Sequence, residues 1–98
     1  MTENTERIIK ELLAVPKGKV STYGDIAKKA GVHNGARQVV RVLHSMTLKF
    51  NLPWYRILRA DGHIALQGEG KDEQIGLLRS EGIDVSNDGK VDLNKWKH

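Results

Sequence analysis

Apolar residues recur along the chain with a period that switches between helical and extended, and the switches divide it into short elements. From Glu6 to Val15, the positions Ile8, Ile9, Leu12, Leu13 and Val15 are separated by Arg7, Lys10 and Glu11, which is the spacing of a helix with one buried face. Asn4 or Thr5 can cap its start. Pro16 followed by Lys17-Gly18-Lys19 ends it, because proline disfavours helix at the residue before it and glycine frees the turn.

A second helix start lies in Ser21-Thr22-Tyr23-Gly24-Asp25, where Thr22 and Asp25 have the spacing of a capping box. The helix is expected to run to about Ala30. Gly31-Val32-His33-Asn34-Gly35 then reads as a turn, and helical period returns from Ala36 to Met46 through Ala36, Val39, Val40, Leu43 and Met46. Helix, glycine turn and helix over about residues 21–46 outline a helix-turn-helix. On its second helix Arg37, Arg41 and His44 fall at i, i+4 and i+7, opposite the apolar stripe and with Gln38 beside them. Such a stripe can follow a phosphate backbone, and it is also what an ordinary solvated helix face looks like.

Thr47 to Asn51 has no clear period and leads into Leu52-Pro53-Trp54-Tyr55-Arg56-Ile57. This hexapeptide sets flat side chains at the mouth of a strand, like a pocket floor, and supplies no group able to attack anything. Tyr55–Leu58 and His63–Leu66 flank Ala60-Asp61-Gly62, a hairpin signal. Gln67-Gly68-Glu69-Gly70 reads as a loop, followed by a helix from about Lys71 to Glu81 with Asp72 and Glu73 in its first turn and Gly82 beyond its end. Gly68-Glu69-Gly70-Lys71 lacks the spacing and the Ser/Thr of a Walker loop. The tail, about residues 83–98, alternates through Ile83, Val85, Asn87-Asp88-Gly89, Val91 and Leu93 as a second hairpin, with Trp96 placed to pack. The pattern predicts an α+β, mostly helical fold: one small domain over residues 1–98, with a winged-helix-like helix-turn-helix unit and short β-hairpins.

Composition narrows the chemistry. A chain of 98 residues buries only about two-thirds of its unfolded surface, enough for one core built from short elements. It contains no cysteine, which removes disulfides, thiolate metal sites and thiolate nucleophiles together. Residues 1–50 hold nine Lys/Arg against four Asp/Glu, and residues 51–98 seven against eight, so the helix-turn-helix half carries the positive excess. His33, His44, His63 and His98 show no paired ligand spacing, so no metal and no cofactor is expected. No run approaches the ~20 apolar residues of a membrane span, and the start is acidic and polar, so a cytoplasmic protein with no membrane partner is expected.

Val15-Pro16-Lys17-Gly18-Lys19-Val20-Ser21-Thr22-Tyr23-Gly24-Asp25-Ile26-Ala27, Ala36-Arg37-Gln38-Val39, Pro53-Trp54-Tyr55-Arg56-Ile57, Asp61-Gly62 and Glu81-Gly82 occur in this order. Together they resemble the C-terminal domain of the O6-alkylguanine-DNA alkyltransferases at matching separations, over about seventy residues. The signature of those enzymes is Pro-Cys-His-Arg-Val; here Trp54 stands at the cysteine and Tyr55 at the histidine, the pattern of the alkyltransferase-like proteins. The resemblance implies a helix-turn-helix bound in the minor groove, contacted through Tyr23, Ala36, Arg37, Gln38 and Arg41. In that family the residue matching Tyr23 crowds a phosphate and the residue matching Arg37 fills the gap left by an extruded guanine. A planar guanidinium suits that gap. Trp54, Tyr55 and Arg56 would then lie beside the extruded base, with Gln67 and Gly68 near its alkyl group.

Alkyl transfer from guanine oxygen needs an activated nucleophile, which the enzymes supply as cysteine, histidine and glutamate. Glu81 alone remains of the three, and tyrosine, with a reference pKa near 10, is a poor base at neutral pH. The expectation is recognition without transfer: a monomer that binds double-stranded DNA containing O6-alkylguanine, flips the base into a Trp54/Tyr55 pocket and presents it to nucleotide excision repair proteins, associating with the nucleoid when bound. The chain departs from the family elsewhere as well. Val40 replaces a usual glycine, Met46 and Thr47 occupy the place of a frequent asparagine, and Gln67 stands where some alkyltransferase-like relatives carry a basic residue. The competing reading is a sequence-specific helix-turn-helix transcription regulator on the major groove, and a third is a protein-binding module with no DNA role.

Overall fold

The computed structural model describes all 98 residues, as α1 (Glu3–Leu13), β1 (Ser21–Thr22), α2 (Tyr23–Lys29), α3 (Ala36–Phe50), a 3-10 turn (Trp54–Arg56), β2 (Ile57–Leu58), α4 (Gly68–Ser80) and α5 (Leu93–Trp96). The architecture is α+β and mostly helical. No helix is long and apolar enough to cross a membrane.

Three helix boundaries differ from those the period suggests, each for a local reason. Helix α1 begins at Glu3 because Thr2, not Asn4 or Thr5, is its cap: the Thr2 hydroxyl accepts the Thr5 N–H at 3.1 Å, and Glu3 and Glu6 lie at the positive end of the helix. Helix α3 continues through the aperiodic Thr47–Phe50 stretch, with Met46 and Phe50 four residues apart on the core side and Leu48 pointing to solvent. It closes at Asn51, whose φ of 51° is left-handed. Helix α4 begins at Gly68, so the expected glycine loop is its first turn; Glu69 occupies that turn, in place of Asp72 and Glu73.

The capping box of α2 forms by half. Thr22 accepts the Asp25 N–H at 3.1 Å, while the Asp25 carboxylate pairs with Lys97 from the tail. That tail runs beside β1, where the Val20 N–H donates to Trp96 O at 3.0 Å and the His98 N–H to Val20 O at 2.8 Å.

The two hairpin signals mark real turns with other partners. Gly62 N–H donates to Arg59 O, and Gly89 N–H to Ser86 O, both at 2.9 Å. Neither turn zips into a ladder of its own arms. Instead β1 pairs with β2 in parallel, Ser21 opposite Ile57 and Thr22 opposite Leu58, and the two turns pair with each other through an antiparallel His63–Lys90 bridge. Gly62 makes that approach possible, since a Cβ there would come within 2.4 Å of Val91 O.

Two apolar clusters lie on either side of the β1–β2 seam. One joins Ile8, Leu12, Ile26, Val39 and Val42 from the first three helices to Leu52 and Ile57; the other joins Val20, Leu58, Ile75, Leu78, Ile83 and Val91, with Trp96 packed on it as expected. Successive strand residues face opposite ways, so Ile57 enters the first cluster and Leu58 the second. The 3-10 turn just before them is thereby fixed between both.

Candidate nucleic-acid interface

The basic stripe of α3 is open to solvent. Arg37, Arg41 and His44 are exposed, and so is Lys28 on α2. None of Lys28, Arg37 and Arg41 has an acidic partner, although four Lys/Arg–carboxylate ion pairs form elsewhere in the molecule. A shallow depression between the two helices is lined by Gly24, Lys28, Asn34, Ala36 and Arg37 among others. Gly35 keeps the turn tight, because a Cβ at that position would meet the Val32 side chain at 2.5 Å. The helix that follows has no side-chain cap, which leaves free N–H groups at its positive end beside Ala36, Arg37 and Gln38.

Next to this stripe opens a cleft of about 310 Å³, lined by Tyr23, Val40, Leu43, His44, Thr47, Trp54, Leu66 and Gln74. That is the small end of the range for ligand pockets, about 300–1,000 Å³, and suits one flat ring system. The α3 contributors recur at helical spacing, so a single face of α3 forms one wall. His44 belongs both to that wall and to the exposed stripe. Trp54 is half-buried and lines the cleft; its ring meets Tyr55 edge-on, with centroids 5.9 Å apart and planes at 87°. Burial raises the pKa of Tyr23 against the lowering effect of Arg59, so its hydroxyl stays protonated at neutral pH.

Behind the turn lies a different environment. The Glu81 carboxylate, with 6% of its side chain exposed, accepts from Arg56 Nη2 at 2.6 Å, Arg56 Nε at 3.0 Å, Tyr55 Oη at 2.6 Å and the Gly18 N–H at 3.0 Å. Arg56 Nη1 also donates to Val15 O at 3.0 Å. Burial opposes ionisation of Glu81, but the hydrogen bonds from Arg56, Tyr55 and Gly18 outweigh it and bring its pKa down to about 2. The same bond to Glu81 raises the pKa of Tyr55.

The residues singled out in the sequence therefore separate into groups. Trp54 and Tyr23 meet at the cleft. Arg56 points into the Glu81 network and is absent from the cleft lining, and Tyr55 stands behind Trp54 with its hydroxyl committed to Glu81. Gln67 and Gly68 are exposed at the start of α4, next in sequence to Leu66 on the cleft rim. Val40, placed by periodicity on the apolar face, is 37% exposed and walls the cleft, while Val42 takes the buried position. Leu43, Thr47, Leu66 and Gln74 were not singled out as site residues. Gln74 had a readable signal: it is a polar residue one α-turn before Leu78, on the buried side of its helix.

The 6-O-methylguanine DNA methyltransferase, DNA binding domain family matches residues 3–83. A DNA base-flipping protein of Vibrio parahaemolyticus is 47% identical over 83 residues, covering 85% of this chain and 83% of its own. The DNA base-flipping protein of Escherichia coli is 39% identical over 92 residues, 94% of this chain and 71% of its own. Among solved structures, Schizosaccharomyces pombe Atl1 in complex with damaged DNA containing O6-carboxymethylguanine superposes with a TM-score of 0.84 at 29% identity. That match covers all of this chain and 96% of the other. A match over most of the length, joined to the same fold, settles the lineage: the chain belongs to the 6-O-methylguanine DNA methyltransferase DNA-binding-domain family.

Proposed function

We propose that this chain is a non-enzymatic sensor of O6-alkylguanine in duplex DNA. It grips the minor groove with α2 and α3, swings the altered base into the cleft beside Trp54, and fills the gap with Arg37 while Tyr23 crowds the flanking phosphate. The observation that carries the reading is the continuity of stripe and cleft: the unpaired cations of α3 run into the mouth of a purine-sized recess through His44. A base leaving the stack along that helix has a short path to an apolar, aromatic wall, and stacking there offsets the few kcal/mol lost in unstacking. Relatives named as base-flipping proteins and one solved with damaged DNA support the same reading.

The cleft offers no nucleophile of the family type. Trp54 stands at the acceptor position, the chain has no cysteine, and Glu81 is engaged with Arg56 and Tyr55, away from the cleft lining. A pocket so furnished holds its lesion and leaves it chemically unchanged. The protein then acts as a cytoplasmic monomer that marks the site for nucleotide excision repair. Titration with a duplex carrying one O6-methylguanine and with its unmodified counterpart tests the proposal. Tighter binding of the lesion with no labelled protein from a tritiated methyl group is expected; equal affinities overturn it.

A further inference from the structure

Gln74 is the one polar side chain of the cleft that is almost wholly buried, with 2% exposure. Its amide is anchored at one end. Nε2 donates to the main-chain carbonyls of Tyr55 at 3.0 Å and Ile57 at 3.4 Å, on either side of Arg56. Two acceptors fix which end of the amide is nitrogen, so Oε1 must be the free end. Oε1 receives no hydrogen bond from the protein, yet it is not sealed: the buried side-chain atoms that lack both partner and solvent are Ser21 Oγ and Trp96 Nε1. Gln74 lines the cleft, and with its amide nitrogen engaged, Oε1 is the hydrogen-bonding atom it has left to offer there.

An inward-facing acceptor selects among bases by their N–H groups. O6-alkylation removes the N1 proton of guanine, so the 2-amino group is the only N–H donor left on that base. We propose that Gln74 Oε1 accepts a hydrogen bond from the 2-amino group of the extruded O6-alkylguanine and makes that group part of what the protein recognises. The inference rests on the lesion-sensor reading above and adds the specificity-determining atom.

The test compares duplexes carrying O6-methylguanine or O6-methylhypoxanthine, which lacks only the 2-amino group, each opposite cytosine. Binding is measured with the wild-type chain and with Gln74→Lys, whose ammonium keeps donating to the Tyr55 and Ile57 carbonyls but offers no acceptor. Gln74→Met serves as a second variant. Because the same two duplexes are used throughout, any difference in their pairing strength cancels from the comparison between proteins. The preference for O6-methylguanine should fall about tenfold on going from wild type to either variant, the cost of leaving a buried acceptor unpaired. An unchanged ratio overturns the assignment to Gln74 while leaving the sensor reading intact. Binding of both lesions no better than plain duplex by wild type overturns the sensor reading, and this inference with it.

Discussion

Trp54 and Arg56 leave the same 3-10 turn and meet opposite environments. The indole borders an open cleft whose polar groups Tyr23, His44 and Gln74 Oε1 lack protein partners, while the guanidinium is locked onto a carboxylate whose oxygens are both occupied. The first arrangement keeps its hydrogen-bonding capacity free for a ligand; the second is complete without one. One signature stretch thus divides into a recognition side and a holding side, with β2 pinning both between the two apolar clusters. The division implies that stability and lesion binding respond to different residues of one tripeptide.

The largest separation should come from the holding side. Glu81→Gln keeps the shape of the side chain but leaves the part-buried Arg56 guanidinium without its counter-charge, which costs about 3 kcal/mol, the low end for a broken buried pair. Urea unfolding followed by tryptophan fluorescence should register that loss, while lesion preference per folded molecule stays unchanged. A shift in preference as large as the loss of stability breaks the proposed division.

Acid sharpens the same point. The pKa of Glu81 lies near 2 in the folded chain and near 4.5 as a reference, so the folded state favours its charged form. That stability, on the order of 3 kcal/mol, is fully present above about pH 4.5 and is lost as pH falls from there toward 2. Denaturation at a series of pH values should show a fall across this window in the wild type, and Glu81→Gln should lack the corresponding part of it.

Trp54→Ala addresses the recognition side. Loss of one stacking face costs about 1–3 kcal/mol of binding, or roughly fivefold to 150-fold, and should appear for lesion duplex far more than for plain duplex. Because Trp54 is only half-buried, unfolding should change less than for Glu81→Gln. Fluorescence titration with Trp96 as the remaining reporter measures both quantities.

Much of this arrangement is legible in the sequence, and the gaps have physical causes. The helix-turn-helix is readable because Thr22, Gly35 and the α3 period are local signals, each acting within a few residues. The strand partners are not, since β1 and β2 lie 36 residues apart in register and a Gly-bearing turn reports its own bend without naming what its arms will pair with. Arg56 looked like a binding residue because it stands in a signature; only the fold brings Glu81 and Val15 to it from opposite ends of the chain. Gln74 is the converse case: its place one turn before Leu78 marks it as inward-facing, but only the fold brings the two carbonyls from another segment that hold its amide.

The smallest contrast lies within the stripe itself. Lys28 and Arg37 line the same depression, both exposed and both without an acidic partner, so a purely electrostatic grip treats them alike. If Arg37 instead replaces the extruded base, its loss removes a planar filler and its hydrogen bonds as well as one charge. Arg37→Ala should then weaken lesion binding by about 1–3 kcal/mol, against less than about 1 kcal/mol for Lys28→Ala, with each lowering the salt slope by about 1. Titrations at two or more salt concentrations separate the terms, because the charge contribution fades with salt and the filling contribution does not. Equal losses that vanish together at high salt would reduce Arg37 to one more phosphate contact and leave the vacated gap to some other side chain of the α2–α3 turn.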